Sequence, residues 1–224
     1  MDITQFNLAN PWRMGKEWEV PAIRREVFPE LLQWLDEPEI LILFGSRQVG
    51  KTSIVHQLIH HLLGREKVDA QDLFFFNLDL AGFSDFLTDQ AAFLRFLESR
   101  RKKRAFVFID EVQRLDEPGL YFKALQDLRL PLKFILTGSS SLDIKLKTAE
   151  ALTGRKQVFR VTPLTFSEYL QAVSAQIPID RLTREDYRPY LNTLNEYLDR
   201  YAQFGGYPAV VLTEDWEKKI LRLS

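Results

Sequence analysis

Residues 45–52 read Gly-Ser-Arg-Gln-Val-Gly-Lys-Thr, a full match to the phosphate-binding pattern G-x-x-x-x-G-K-[ST]. This one loop restricts the fold more than any other feature, because it works only between a buried strand and a helix. Its successive backbone N–H groups turn inward as an anion-binding nest. The helix that follows presents its positive dipole end to the same phosphates. The flanks suit that context: Glu39 to Phe44 is an apolar run fit for a buried parallel strand, and Ser53 to Leu63 reads as a helix. Gly45, Ser46, Arg47, Gln48, Val49, Gly50, Lys51, Thr52 and Ser53 are therefore the candidate phosphate-binding residues. Gly45 and Gly50 can adopt angles that a Cβ would forbid. Lys51 is placed to reach β- and γ-phosphates, and Thr52 to ligate Mg²⁺.

Alternation continues beyond the loop. Leu73 to Asp79, Ala105 to Asp110, Leu132 to Thr137 and Lys156 to Val161 read as strands. Phe86 to Arg100 reads as a helix with Phe86, Phe93, Leu94 and Leu97 near one face, and Gly119 to Leu128 as another with Leu120, Ala124 and Leu128 in register. Strand and helix in turn predict an α/β fold: a parallel sheet covered by helices on both faces. Ligands of such sheets bind beyond the carboxyl ends of the strands. Those ends carry the phosphate loop, Asp79, the pair Asp110 and Glu111, and Ser139.

Ahead of this core, Ile23 to Leu35 reads as a helix stopped by Asp36-Glu-Pro38. After it, Thr165 to Ala175 and Tyr187 to Tyr201 read as helices, Gly205-Gly-Tyr-Pro208 as a turn, and Ala209 to Leu223 as the start of another helix. The expected organisation is an N-terminal segment over 1–36, a core over 37–163 and a helical extension over 164–224.

Phe106-Val-Phe-Ile-Asp-Glu111 is an apolar strand that ends in adjacent carboxylates. Asp110 can bind Mg²⁺ beside Thr52, directly or through water. Glu111 can polarise a water for in-line attack on a γ-phosphate. Ser139, in Leu136-Thr-Gly-Ser-Ser-Ser141, can touch that phosphate or the attacking water, with Thr137, Ser140 and Ser141 as near-equal alternatives.

Bulk properties exclude more than they assign. Thirty basic and thirty-one acidic residues leave a formal charge of −1, so any nucleic-acid surface must be a local patch such as Arg100-Arg-Lys-Lys-Arg104, which reads first as a solvated loop. The absence of cysteine excludes disulfides and thiolate chemistry and fits a cytoplasmic location. No run approaches the roughly 18 apolar residues of a membrane span. His56 and His60 stand at i, i+4 but without the glutamate of H-E-x-x-H, so they and His61 read as helix-surface residues. Phe74-Phe-Phe76 reads as buried strand.

Taken in order, GSRQVGKTS, FVFIDEVQ, LTGSSS, LTGR, VTPLTFSEYL and GGYP resemble a prokaryotic family of AAA-type P-loop ATPases, over residues 20 to 210. The last four discriminate more than the first two, which very many ATPases share. The resemblance implies an additional strand between the phosphate-loop strand and the acidic strand, and ATP rather than GTP; the chain has no Asn/Thr-Lys-x-Asp guanine-reading sequence. It assigns Lys51 and Thr52 to phosphate and Mg²⁺, Asp110 to the metal side, Glu111 to the water and Ser139 to the polar sensor position. It also makes Arg155 the arginine that senses the γ-phosphate, in cis or from a neighbouring copy. Many members carry a C-terminal domain of unknown function, and this chain ends at Ser224, soon after GGYP, as a piece of a longer protein would. The expected activity is Mg²⁺-dependent ATP hydrolysis that drives a conformational change or remodels a protein or nucleic-acid partner, in a homo-oligomer if Arg155 acts in trans. The rivals are a nucleotide-dependent interaction switch and, behind it, a small-molecule kinase using Arg181, Arg184 and Arg188.

Overall fold

Side chains along each apolar strand alternate between two cores, as a strand period of two requires. The computed structural model describes residues 2–139, 152–173, 177, 188–213, 215, 217 and 218. Its strands are β1 (Ile40–Gly45), β2 (Leu73–Asn77), β3 (Ala105–Asp110), β4 (Leu132–Ser139) and β5 (Lys156–Arg160). All pair in parallel, in the order β2-β3-β4-β1-β5. β4 therefore lies between the phosphate-loop strand and the acidic strand, as the resemblance implied. Phe74, Phe76, Val107, Ile109, Leu136 and Ile42 line one core. Phe75, Phe106, Phe108, Ile135, Leu41 and Leu43 line the other.

The helices are α1 (Ile3–Ala9), α2 (Phe28–Gln33), α3 (Lys51–Gly64), α4 (Phe83–Thr88), α5 (Gln90–Glu98), α6 (Pro118–Asp127), α7 (Phe166–Ala172), α8 (Leu191–Phe204) and α9 (Pro208–Val211). Ile54, Val55, Leu58, Ile59 and Leu62 of α3 recur at helical spacing and are buried in the second core. Phe83, Leu87, Phe93 and Leu97 of α4 and α5 do the same for the first.

Several elements depart from the sequence reading. The helix expected over 86–100 is two helices, because the Asp89 carboxylate accepts from Ala92 N at 2.9 Å and caps a fresh start. In α6 the buried face is Phe122 and Leu125, whereas Leu120 and Leu128, expected inside, are each 54% exposed. The helix expected from Ile23 is confined to α2, since Pro29 sits in its first turn and Arg25 is drawn into the core instead. Pro189 disfavours helix at the residue before it, so α8 begins only after the 3₁₀ turn Arg188–Tyr190. Of the helix expected over 209–223, α9 covers the start and ends at Val211, Glu217 and Lys218 are helical again, and residues 214, 216 and 219–223 lie outside the described residues.

The N-terminal segment guards the free edge of β2. Asn10 Nδ2 donates to Phe75 O at 2.9 Å and Asn10 Oδ1 accepts from Phe75 N at 2.7 Å, which mimics a neighbouring strand. Arg13 Nη1 donates to Leu73 O at 3.0 Å while its guanidinium lies 4.3 Å from the Phe74 ring centroid. Burial, with Arg100 nearby, pulls the Arg13 pKa down to about 10. Asn10→Ala leaves a buried N–H and a buried C=O without partners and should destabilise the chain by about 2 kcal/mol. An unchanged urea midpoint would contradict that role.

Candidate active site

The loop after β1 takes its shape from backbone constraints. A Cβ at Gly45 would lie 2.0 Å from Val161 O, so only glycine lets β1 end against the chain leaving β5. Gln48 has φ 64° and Gly50 φ 93°, the left-handed turns that curl successive amides toward one centre. Gly50 is the N-cap of α3, so the loop's concave side faces the helix's positive end. Lys51 is buried, and its Nζ donates to Gly45 O at 2.9 Å and Ser46 O at 2.8 Å. Burial lowers its pKa; Glu111 and Asp110 act in the opposite direction.

The sheet brings the acidic pair to this loop. Asp110 is 2% exposed, and its Oδ2 accepts from Thr52 Oγ1 at 2.8 Å. Its Oδ1 accepts from Thr137 Oγ1 on the neighbouring β4. Thr137, one of the alternatives weighed for the sensor position, thus touches Asp110. A buried carboxylate between two hydroxyls is a hard-oxygen set, which suits Mg²⁺ held by few protein ligands and several waters. Among the described residues no group of three or more His, Asp or Glu side chains converges on a metal position.

Glu111 takes φ 60° at the end of β3, which turns its side chain out of the strand direction. Its backbone N donates to Thr137 Oγ1 at 3.3 Å. Gln113 Nε2 donates to the Glu111 carboxylate, and Gln113 Oε1 accepts from Ser139 N at 3.3 Å. Ser139 is the register partner of Gly45, so it stands beside the loop's first residue. Ser140 and Ser141 lie outside the described residues.

Other candidates are held elsewhere. Asp79 is at the right end of the sheet but pairs with Arg114 at 2.7 Å on the surface. Arg155 precedes β5, and its carbonyl accepts from Ile40 N at the start of β1. The six residues of β1 separate it from the phosphate loop, by roughly 17 Å of strand. Its guanidinium pairs with Asp127. The basic run is largely engaged: Arg100 stacks on Phe96, Arg101 pairs with Glu98, Lys102 with Asp69 and Arg104 with Asp36. His56 is half-buried: it packs against Trp12, Trp18 and Phe75, and burial lowers its pKa.

Three features had no clear sequence signal. Gln113 bridges Glu111 and Ser139, and its place two residues after the acid signalled neither contact. Arg25, in a segment expected to be helical, reaches Val49 O in the phosphate loop at 2.6 Å. Pro208, read only as part of a turn, has its Cγ 3.6 Å from where a Gly50 Cβ would stand. Pro21, Ile23, Gly50, Ser53, Pro208 and Leu212 help line a cavity of about 400 Å³ beside the loop.

Comparisons with known proteins bear on the fold and the family. An uncharacterized protein of Methanocaldococcus jannaschii is 26% identical over 186 residues, covering 82% of this chain and 39% of the relative. A second from the same organism is 29% identical over 192 residues, covering 84% of this chain and 38% of the relative. An uncharacterized protein of Haemophilus influenzae is 21% identical over 197 residues, covering 86% of this chain and 45% of the relative. The chain thus spans about two fifths of the length of the curated relatives it matches. Among solved structures, the S. cerevisiae Hsp104–ADP complex superposes with a TM-score of 0.58 at 21% identity, covering 95% of this chain and 32% of that one. C. elegans PCH-2 gives 0.53 at 19% identity, covering 100% and 69%. The Aeropyrum pernix ORC1 protein in complex with DNA gives 0.52 at 13%, covering 73% and 52%. These likenesses show the fold. Residues 37–170, more than half of the chain, match the family model for an AAA domain, and the chain belongs to that family of nucleotide-binding, ATPase-type proteins.

Proposed function

We propose that the chain binds Mg²⁺-ATP and hydrolyses it, using the cycle to drive a conformational change or remodel a macromolecular partner. The carrying observation is the contact of Thr52 with Asp110, which joins the phosphate loop to the acidic strand end at 2.8 Å. Loop amides and Lys51 hold the phosphates. Thr52, and Asp110 directly or through water, would hold Mg²⁺, which would supply positive charge against the charge that develops in the reaction. Thr137 fixes the Asp110 carboxylate for that task. Glu111 takes the proton of the attacking water, and Ser139 supplies a polar contact near the γ-phosphate. The cavity flanked by Pro21, Ile23, Pro208 and Leu212 abuts Gly50 and Ser53 and has the largely apolar lining that suits a nucleobase.

Arg155 lies across the sheet from its own phosphate loop, so its reading is as a residue that completes a neighbouring copy's site. An arginine supplied in trans is worth on the order of 10³-fold or more in turnover. Phosphate release per chain from Mg²⁺-ATP should therefore rise with protein concentration, and Arg155→Ala should flatten the curve near its floor. A concentration-independent rate would remove Arg155 from the mechanism. No phosphate release, with no stabilisation of the fold by ATP, would overturn the function itself.

One observation favours the switch reading: the Glu111 carboxylate already accepts from Gln113 Nε2. If that contact persists with ATP bound, hydrolysis is slow and the ATP-bound form is the active signal. Single-turnover measurement separates the two. For the kinase reading, Arg181 and Arg184 lie outside the described residues and Arg188 opens a short 3₁₀ turn. The partner is a protein or nucleic acid. Among the described residues no helix is long and apolar enough to cross a membrane.

A further inference from the structure

Arg25 and Glu168 are 143 positions apart, buried, and joined by Nε to Oε1 at 3.0 Å. A desolvated ion pair of this kind is a weak device for stability alone, since an apolar pair of similar volume often serves as well. What an apolar pair cannot do is hold several backbone groups at once. Arg25 Nη1 donates to Val49 O at 2.6 Å, and Nη2 to Thr162 O at 2.7 Å. Glu168 Oε1 also accepts from Glu26 N at 2.6 Å, while its Oε2 accepts from Thr165 N at 2.9 Å in the capping box that starts α7.

The Val49 contact bears on the nucleotide. A trans peptide points its C=O and N–H in opposite directions. Among the described residues no peptide bond is cis. Holding Val49 O from outside the loop therefore turns Gly50 N–H toward the inside, where phosphate oxygens bind. A phosphate accepting from that N–H polarises the peptide and strengthens the carbonyl's bond to Arg25.

The other end of the network reaches the C-terminal helices. Leu164, between Thr162 and Glu168, donates its N–H to Gly206 O at 2.7 Å, and its carbonyl accepts from Tyr201 Oη of α8 at 2.7 Å. Pro208 then returns the chain to Gly50. The structure assigns to Arg25 and Glu168 a positioning role: Arg25 aims the Gly50 amide, and Glu168 couples that aim to α7 and the helical segment behind it. Phosphate occupancy and the seating of these helices therefore favour each other, and by linkage the effect is reciprocal. This inference rests on the reading of residues 45–52 as an ATP-phosphate loop.

The test uses Arg25→Lys and Glu168→Gln, singly and together, beside the wild type and Lys51→Ala. Calorimetry gives ATP affinity, circular dichroism confirms folding, and amide exchange over residues 165–172 is followed with and without ATP. Arg25→Lys, one ammonium in place of a planar fork, should weaken ATP binding about tenfold. The double variant should bind about as weakly as Arg25→Lys alone, because the two act as one unit. ATP should slow exchange in α7 of the wild type and not in the folded variants. A wild type that binds ATP without protecting α7, or folded variants that match it in affinity and protection, would overturn this proposal alone. A folded wild type that does not bind ATP would remove the phosphate-loop reading and this inference with it.

Discussion

Glu111→Gln should leave ATP affinity within a few-fold of the wild type and lower turnover on the order of 10²- to 10⁴-fold. The glutamine keeps the volume and the position that β3 and the φ of 60° impose. It keeps an oxygen for Gln113. What it loses is a basic oxygen able to take a proton from water, a loss felt in the transition state and hardly at all in the ground state. Asp110, with its two hydroxyl contacts, is untouched, so binding of Mg²⁺-ATP should persist. Phosphate release and equilibrium binding, measured on the same preparation, check both halves. Hydrolysis at the wild-type rate would take Glu111 out of the chemistry, and joint loss of binding and turnover would make it a structural residue.

Lys51→Ala should act on the other term. It should weaken ATP binding by about 3 kcal/mol, on the order of 10²-fold, since a buried charge-assisted contact to phosphate is lost with nothing to replace it. Burial already lowers the Lys51 pKa and so disfavours the charged form of its ammonium. Nearby Asp110 and Glu111 oppose that shift, and an incoming phosphate would add to their effect. The carbonyls of Gly45 and Ser46 that Lys51 now engages lie in the loop itself, so the loop is close to the geometry the ammonium needs to reach a phosphate. Titration calorimetry with ATP is the direct measurement, and affinity equal to the wild type would sink the phosphate-loop reading. In contrast to Glu111→Gln, the variant should also lose the thermal stabilisation that ATP confers.

The part of this protein legible in its sequence is the part written locally. Apolar runs of strand length, helical spacing and the loop's own glycines are properties of neighbours in the chain. They were enough to predict a parallel sheet, a glycine-bearing turn from the end of β1 into α3 and acids at the end of β3, all of which the fold contains. Local reading failed where a side chain chose a partner. Asp89 capped a new helix and split the one expected over 86–100. Leu120 matched an apolar register yet faces outward, because the sheet and not the helix decides which face of α6 is buried.

The site shows the same division. Lys51, Thr52, Asp110 and Glu111 could be named as candidates from motif and spacing, and the fold brings Thr52 against Asp110. That Thr137 would hold Asp110, that Gln113 would bridge Glu111 to Ser139, and that Arg155 would lie at the far end of the sheet depended on how β1, β3, β4 and β5 are ordered and registered. Arg25 is the clearest case. Nothing in its neighbours distinguishes it from Arg24, which is exposed, and its role exists only because Val49, Thr162 and Glu168 meet around it. The sequence by itself determined the strands, most of the helices and the polar residues at the strand ends, because backbone propensity and side-chain period act over a few residues. The tertiary structure alone decided which distant groups share a buried polar network, because there an unpaired donor or acceptor is costly and packing selects the partner.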